Sequence, residues 1–235
     1  MISSISPDDG FAKNPQDSDL YQIVGVSEMR ESFIVLDFET TGMSPDDGSR
    51  ATEVGAVLVK DGQIADRFQS LMNARVSIPP FIQNLTGITN SMVAKAPPSS
   101  DVMRRFASFI GSTTLVAHNA SFDKKFLDAE LARVGITVRQ PIACSMRIAR
   151  RIYQKAPNHK LGTLVEYADI ETDGVFHRAM ADAEMTARLM LRMAWDIRQK
   201  YGINEVNFEL IKQLESMAKR DVDDRLRRMA ISHPR

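Results

Sequence analysis

Asp37 and Glu39 stand two residues apart in Phe33-Ile-Val-Leu-Asp-Phe-Glu-Thr-Thr-Gly42. Four apolar residues precede them, which reads as a buried strand. Successive side chains of a strand alternate between its faces, so both carboxylates point the same way. Two neighbouring buried carboxylates are prohibitively costly without a cation beside them. The stretch holds no Lys or Arg, and a divalent metal is the cation that would fit. The other reading is an exposed strand end whose carboxylates face water. A motif this short does not decide between them.

Two more acids enlarge the pattern. Asp123 follows the short apolar run Thr114-Leu-Val-Ala117, and Asp182 follows His177 by five residues. Each falls in the first turns of a helix, where an acid also simply complements the helix dipole. With Asp37 and Glu39, however, they make four acids at strand ends and helix starts of one domain, able to converge on a point. Hard divalent cations take oxygen ligands, Mg²⁺ usually one or two carboxylates plus phosphate oxygens. Two such ions ~3.5–4 Å apart can stabilise both the attacking and the leaving oxygen of a phosphoryl displacement. His177 beside them could accept a proton from attacking water, since its ordinary pKa lies near neutral; alone it would read as a surface histidine. His118 is placed to orient its loop, His159 to sit on a basic surface, and His233 in a frayed tail.

The elements that must position these groups follow from the hydrophobic pattern. Thr52–Lys60 and Gln63–Met72 flank Asp61-Gly62, a two-residue hairpin signal. Pro79-Pro80 closes the hairpin, and an irregular helical region holds Leu85-Thr-Gly-Ile-Thr89. Pro97-Pro98-Ser99-Ser100 starts a helix over Asp101–Ile110. Thr114–Ala117 is a buried strand, followed by a helix over Phe122–Val134 that Gly135 stops. A further strand is expected over Ile136–Cys144, then helices over Met146–Tyr153, Lys160–Tyr167 and Ala179–Lys200. The last thirty residues read as helical, with Leu210, Leu214 and Met217 on one face and Val222, Leu226 and Met229 on another. A hairpin beside the first strand, then strands alternating with helices, predicts an α/β architecture with a mixed sheet. Sites in such sheets gather at strand ends.

Composition narrows the function. The 235 residues are 43% hydrophobic and 26% charged, as in an ordinary globular protein. Thirty Lys and Arg balance thirty Asp and Glu, so affinity for nucleic acid must come from local patches. A single cysteine, Cys144, excludes an intrachain disulfide and a thiolate zinc cluster, and fits a reducing compartment. No apolar run has membrane-spanning length and the start lacks a signal-peptide pattern. A cytoplasmic protein without membrane partners is expected. Residues 1–31 hold six acids against two bases and read as an acidic, loosely ordered leader with a short element around Leu20–Val26. Residues 32–202 form the main domain and 203–235 a helical C-terminal extension.

Three separated motifs give the chain a resemblance. Val35-Leu-Asp-Phe-Glu-Thr-Thr-Gly42 followed by Glu53-Val-Gly-Ala56, Ala117-His-Asn-Ala-Ser-Phe-Asp123 through Phe126-Leu127, and His177-Arg-Ala-Met-Ala-Asp-Ala183 occur in the order of the DEDDh branch of 3′–5′ exonucleases. That branch includes the proofreading epsilon subunit of bacterial DNA polymerase III. The resemblance covers residues 33–200. It implies a ribonuclease-H-like, five-stranded mixed sheet flanked by helices and carrying two Mg²⁺ or Mn²⁺ ions. Asp37 would bridge both metals, Glu39 and Asp182 would complete the tighter site, and Asp123 would assist the second. His177 would be the general base, whereas relatives outside the branch use tyrosine. Phe38, Thr40 and Thr41 would line the terminal-nucleotide pocket. Thr86, Gly87 and Ile88 lie in the segment resembling the one that stacks on the terminal base, and Asn119 and Phe122 in the second motif join the substrate-binding set. Glu53 would be a structural or substrate-orienting acid.

From Arg139 to Lys160 six basic residues occur without an acid. Arg147, Arg150, Arg151 and Lys155 make this stretch a candidate for holding the strand behind its 3′ end, a solvated helix face being the alternative. Gln213-Leu-Glu-Ser-Met217 lacks the aromatic end of a sliding-clamp peptide, so a polymerase or clamp partnership has no clear motif. The expected activity is a metal-dependent 3′–5′ exonuclease acting on a single-stranded or frayed 3′ end, of DNA in the first place, and releasing nucleoside 5′-monophosphates. The alternatives are an RNA-trimming exoribonuclease of the same family and a non-catalytic nucleic-acid-binding module on this fold.

Overall fold

The computed structural model describes residues 31–172, 177–203 and 206–232. The leader up to residue 30, its element around Leu20–Val26, the turn at Asp173-Gly174 and His233 lie outside the described residues. Five strands form one sheet: β1 (Phe33–Thr40), β2 (Ala51–Lys60), β3 (Gln63–Leu71), β4 (Thr114–Ala117) and β5 (Ile142–Cys144). Their spatial order is β3-β2-β1-β4-β5. The β1–β2 and β2–β3 pairs are antiparallel, and β1–β4 and β4–β5 are parallel. This is the mixed sheet flanked by helices that the apolar pattern predicts, with the five strands that the resemblance implies.

β1 is central because both of its faces are covered. Phe33 and Val35 join a cluster with Val57, Val59 and Val116 on one side, whereas Ile34, Leu36 and Phe38 join Val54, Phe106 and Phe126 on the other. A near-continuous apolar run is what a strand buried on two faces requires. The second face is covered by α3 (Ser99–Ile110) and α4 (Ala120–Ala132). The first is covered by α5 (Ser145–Ile152), α6 (Leu161–Tyr167), α7 (Ala179–Tyr201), α8 (Phe208–Ser216) and α9 (Val222–Ser232). Two short helices, α1 (Pro80–Thr86) and α2 (Asn90–Ala94), pack through Ile82, Ile88 and Val93 against Ile78 and Leu71.

The β2–β3 hairpin turns on Asp61 and Gly62 with φ of 51° and 74°, the positive pair that a type I′ turn needs. One expected strand is shorter than the sequence suggested. Instead of Ile136–Cys144, pairing covers Ile142–Cys144, because Gly135 ends the preceding turn at φ 73° and Pro141 has no N–H for the ladder. The C-terminal helices continue the same core, with Phe208, Ile211, Leu214, Val222 and Leu226 all buried.

Candidate active site

Asp37 and Glu39 belong to the β1 face that α7 covers, since their parity matches Phe33 and Val35. In register, Asp37 lies opposite Gly55 and Glu39 opposite Glu53 on β2. Gly55 sets the distance to α7. A Cβ built there would stand 2.2 Å from the Ala179 carbonyl carbon and 2.3 Å from the Met180 nitrogen, so any side chain would push the helix start away. The close approach delivers Asp182, one turn into α7. Carboxylate oxygens of Asp37, Glu39 and Asp182 all lie within 4.8 Å of one another.

Asp123 reaches the site from α4, across β1. It is 1% exposed, and the Phe38 N–H donates to its Oδ1 at 3.2 Å. Asn119, the residue before α4, adopts a left-handed φ of 66° and directs the chain from β4 into that helix. Burial, then the charge of Asp123 and of Asp182, holds the Asp37 carboxyl well above the usual carboxylate range. Burial and Asp182 push Glu39 up to about 8, and burial pushes Asp123 up to about 7. Asp182 is raised by burial, against which the Arg178 and His177 backbone amides and the His177 charge pull downward.

Glu53 has a different fate from its neighbours. Arg178 donates to it twice, Nε at 3.1 Å and Nη2 at 2.8 Å, and the Ala179 N–H and Gln69 Nε2 donate at 3.2 and 3.0 Å. A buried carboxylate with four donors is fully satisfied, and it fixes the start of α7 to β2. The sequence reading did not single out Arg178. Its signal was available in the need of a buried Glu53 for a bidentate partner.

The remaining carboxylates are poorly compensated. Arg178 acts on Glu39 as the weakest of its neighbours, and Asp37 and Asp123 have no cation among the causes of their shifts. An all-oxygen donor set with clustered, uncompensated negative charge fits a hard divalent cation. Asp37, Glu39 and Asp182 are the residues that could hold it, with Asp123 adjoining. His177 immediately precedes this centre. It is exposed, with a left-handed φ of 60° uncommon for a residue with a Cβ, and its charge acts on Asp182.

Several expected substrate contacts are used otherwise. The Phe38 ring is 3% exposed and packs edge-on against Phe106 at 6.0 Å; its N–H serves Asp123. Thr40 donates its hydroxyl to the Gly42 carbonyl at 2.7 Å, and the Thr41 hydroxyl accepts from the Arg50 N–H at 3.0 Å. Both shape the loop after β1, which Arg50 ties to α4 through Glu130 (Nε to Oε1 2.7 Å, Nη2 to Oε2 2.8 Å). Thr86 is buried and donates to the Ile82 carbonyl at 2.9 Å, and Ile88 is fully buried. Gly87 is the left-handed cap of α1 at φ 70°. The apolar groups of that segment that do reach the surface are Phe81 and Leu85, 67% and 53% exposed, one helical turn apart. The Phe122 ring packs against Phe126 at 5.1 Å, tilted by 50°, and is half-buried, whereas Asn119 is exposed.

The basic stretch is divided. On α5, Arg147 pairs with Glu215 at 3.1 Å, and Arg151 donates to the Met217 carbonyl at 3.0 Å. These two hold the C-terminal helices and are not a free phosphate surface, a point the sequence could not show because their partners lie over sixty residues away. Arg150 and Lys155 are exposed.

The family model for the RNase_T exonucleases matches residues 34–190. The chain belongs to this exonuclease family. The PolC-type DNA polymerase III of Caldanaerobacter subterraneus subsp. tengcongensis is 36% identical over 187 residues, which is 79% of this chain and 13% of that protein. The chain thus spans about an eighth of this relative's length. Exonuclease X, solved with 5′-overhanging duplex DNA, superposes with a TM-score of 0.62 at 25% identity, covering 78% of this chain and 99% of that one. The nuclease domain of 3′hExo, a DEDDh family member solved with rAMP, has the same fold: TM-score 0.58, 22% identity, 71% of this chain and 93% of that one. Residues 34–190 thus form an exonuclease domain of this family. Its fold family typically uses divalent metals. No helix among the described residues is long and apolar enough to cross a membrane.

Proposed function

We propose that the protein removes nucleotides one at a time from the 3′ end of DNA, releasing nucleoside 5′-monophosphates, with a two-metal centre held by Asp37, Glu39, Asp182 and Asp123. The observation that carries this reading is the meeting of Asp37, Glu39 and Asp182 oxygens within 4.8 Å, beside a buried Asp123 and with Arg178 committed to Glu53. When bound, two divalent ions supply charge stabilisation to the attacking and leaving oxygens of the phosphoryl group.

The chain's own residues then divide the work. His177 takes the proton from the attacking water, as an exposed imidazole on the segment leading into α7. The backbone of the loop after β1, braced by Thr40, Thr41 and Arg50, receives the terminal nucleotide. Phe81 and Leu85 offer the apolar surface on which its base stacks. DNA is the preferred substrate because relatives in sequence include PolC-type DNA polymerases and because Exonuclease X was solved on DNA. Residues 32–202 carry the chemistry, with 203–235 as an extension. The protein works in the cytoplasm.

A 5′-labelled single-stranded DNA oligonucleotide incubated with Mg²⁺ or Mn²⁺ tests the assignment. The expected product is a ladder shortening from the 3′ end. Immediate release of labelled mononucleotide would reverse the polarity, and persistent full-length substrate would favour a binding module. A matched RNA strand degraded faster than the DNA would move the assignment to RNA trimming.

A further inference from the structure

Arg147 and Arg151 of α5, with Gln154 just beyond its end, meet the C-terminal segment. Arg147 holds Glu215, Arg151 holds the Met217 carbonyl, and Gln154 Nε2 donates to the Lys219 carbonyl at 3.1 Å. This zipper leaves Arg150 on the neighbouring, solvent-facing side of α5. It also carries the 3₁₀ turn Lys219–Asp221 to the end of that helix. Both Arg150 and Lys219 are exposed, and among the described residues neither is in an ion pair; the guanidinium of Arg150 touches the Met146 sulfur at 3.7 Å.

His159 lies within reach of both charges. Its Nε2 is 3.1 Å from the Tyr153 carbonyl, and both Lys219 and Arg150 depress its basicity, after burial. The same strip continues to the catalytic loop. His118 Nε2 donates to the His159 carbonyl at 3.0 Å, and its Nδ1 accepts from Ser145 Oγ at 2.8 Å. His118 directly precedes Asn119 and the helix that carries Asp123. Two cations in no ion pair among the described residues therefore act on a histidine whose carbonyl is hydrogen-bonded to His118, beside the active-site loop.

We propose that Arg150 and Lys219 form one subsite for backbone phosphates of the bound strand, upstream of the 3′ end, half of it supplied by the C-terminal segment. This rests on the nucleic-acid substrate proposed above. It replaces a patch on α5 alone with a two-element clamp, and it gives residues 215–221 a part in substrate binding besides packing. A phosphodiester fits because it offers anionic oxygens to a guanidinium fork and an ammonium without demanding base identity. Lys219 had no signal in the sequence, where it stands in an ordinary helical stretch.

The test uses the full chain with Lys219→Glu, Arg150→Glu and Lys60→Glu. Lys60 is exposed at the β2–β3 hairpin, away from the site, and controls for overall charge. Binding of a long 5′-labelled single-stranded oligonucleotide is followed over a salt series with Ca²⁺ in place of Mg²⁺. Hydrolysis of the p-nitrophenyl ester of thymidine 5′-monophosphate, too short to reach the subsite, is measured alongside with Mn²⁺. Lys219→Glu and Arg150→Glu should each flatten the log–log salt slope by about 0.7, with ester hydrolysis unchanged, and Lys219→Arg should keep the wild-type slope. A wild-type slope in Lys219→Glu, or the same flattening in Lys60→Glu, would overturn the subsite. A wild-type protein that binds with the expected slopes but leaves the ester intact would instead overturn the hydrolytic reading.

Discussion

Glu39 and Glu53 face each other across β1 and β2, yet their chemistry diverges because Arg178 is committed to Glu53. Glu53 is pinned by four donors, whereas Glu39 keeps its proton up to about 8 and Asp123 up to about 7, burial being the main cause in both. Folding thus favours the protonated form of these acids. Their contribution to stability is fully present below the ordinary carboxyl pKa of about 4 and is lost as pH rises through about 7 and about 8. A divalent ion competes with those protons, since its ligands must be ionised. In the presence of Mn²⁺ the rise in Tm over the metal-free protein should therefore grow between pH 5.5 and pH 8.5, read by differential scanning fluorimetry. A rise independent of pH would mean that these carboxyls do not bind the ion. Near neutral pH Asp37→Asn should raise the Tm of the metal-free protein, by removing a carboxyl that burial keeps protonated while the unfolded chain ionises it, and shrink the Mn²⁺ effect; a large undiminished effect would contradict the shared site.

At the level of elements, the centre is assembled by one close approach and two braces. Gly55 lets α7 lie directly on β2, Arg178 with Glu53 locks that contact, and Arg50 with Glu130 ties the loop after β1 to α4. Gly55→Ala should displace Asp182 from Asp37 and Glu39. Overpacking of this kind costs about 1–3 kcal/mol, so chemical denaturation should show a folded but weakened protein with most of its activity gone. Full activity in Gly55→Ala would show that the contact does not position the acid. These elements were largely legible in advance. β1, the Asp61-Gly62 turn and the long helix up to Gly202 follow from apolar patterning and turn residues that act locally. The braces were not, because each joins residues eighty or more positions apart and sequence spacing carries no trace of such pairs. Phe38 and Ile88 show the same limit from the other side: motif membership suggested contact with substrate, and packing took their side chains into the core.

Across the whole molecule, zero net charge hides a segregation of sign. Four of the acids meet at one end of the central strand, and two exposed cations, Arg150 and Lys219, stand where α5 meets the C-terminal segment. That segment is part of the core. Leu214 is fully buried with Phe208 and Ile211 in the cluster that contains Phe33 and Val35, as the helical spacing of Leu210 and Leu214 predicted. Leu214→Ala should accordingly cost about 2–5 kcal/mol in denaturant unfolding; a loss under about 0.5 kcal/mol would mean that the extension is merely apposed. What the sequence could not carry was the division of the arginines, which depends on Glu215 and Met217 folding back onto α5. The most direct test of the account as a whole is Mn²⁺-dependent shortening of a 5′-labelled strand by the wild-type protein and by Asp37→Ala, with circular dichroism to verify the fold. The prediction is stepwise loss from the 3′ end in the wild type and a rate lower by on the order of 10³-fold in the folded variant, as removal of several kcal/mol of charge stabilisation requires. A folded Asp37→Ala protein that degrades the strand at the wild-type rate would contradict it.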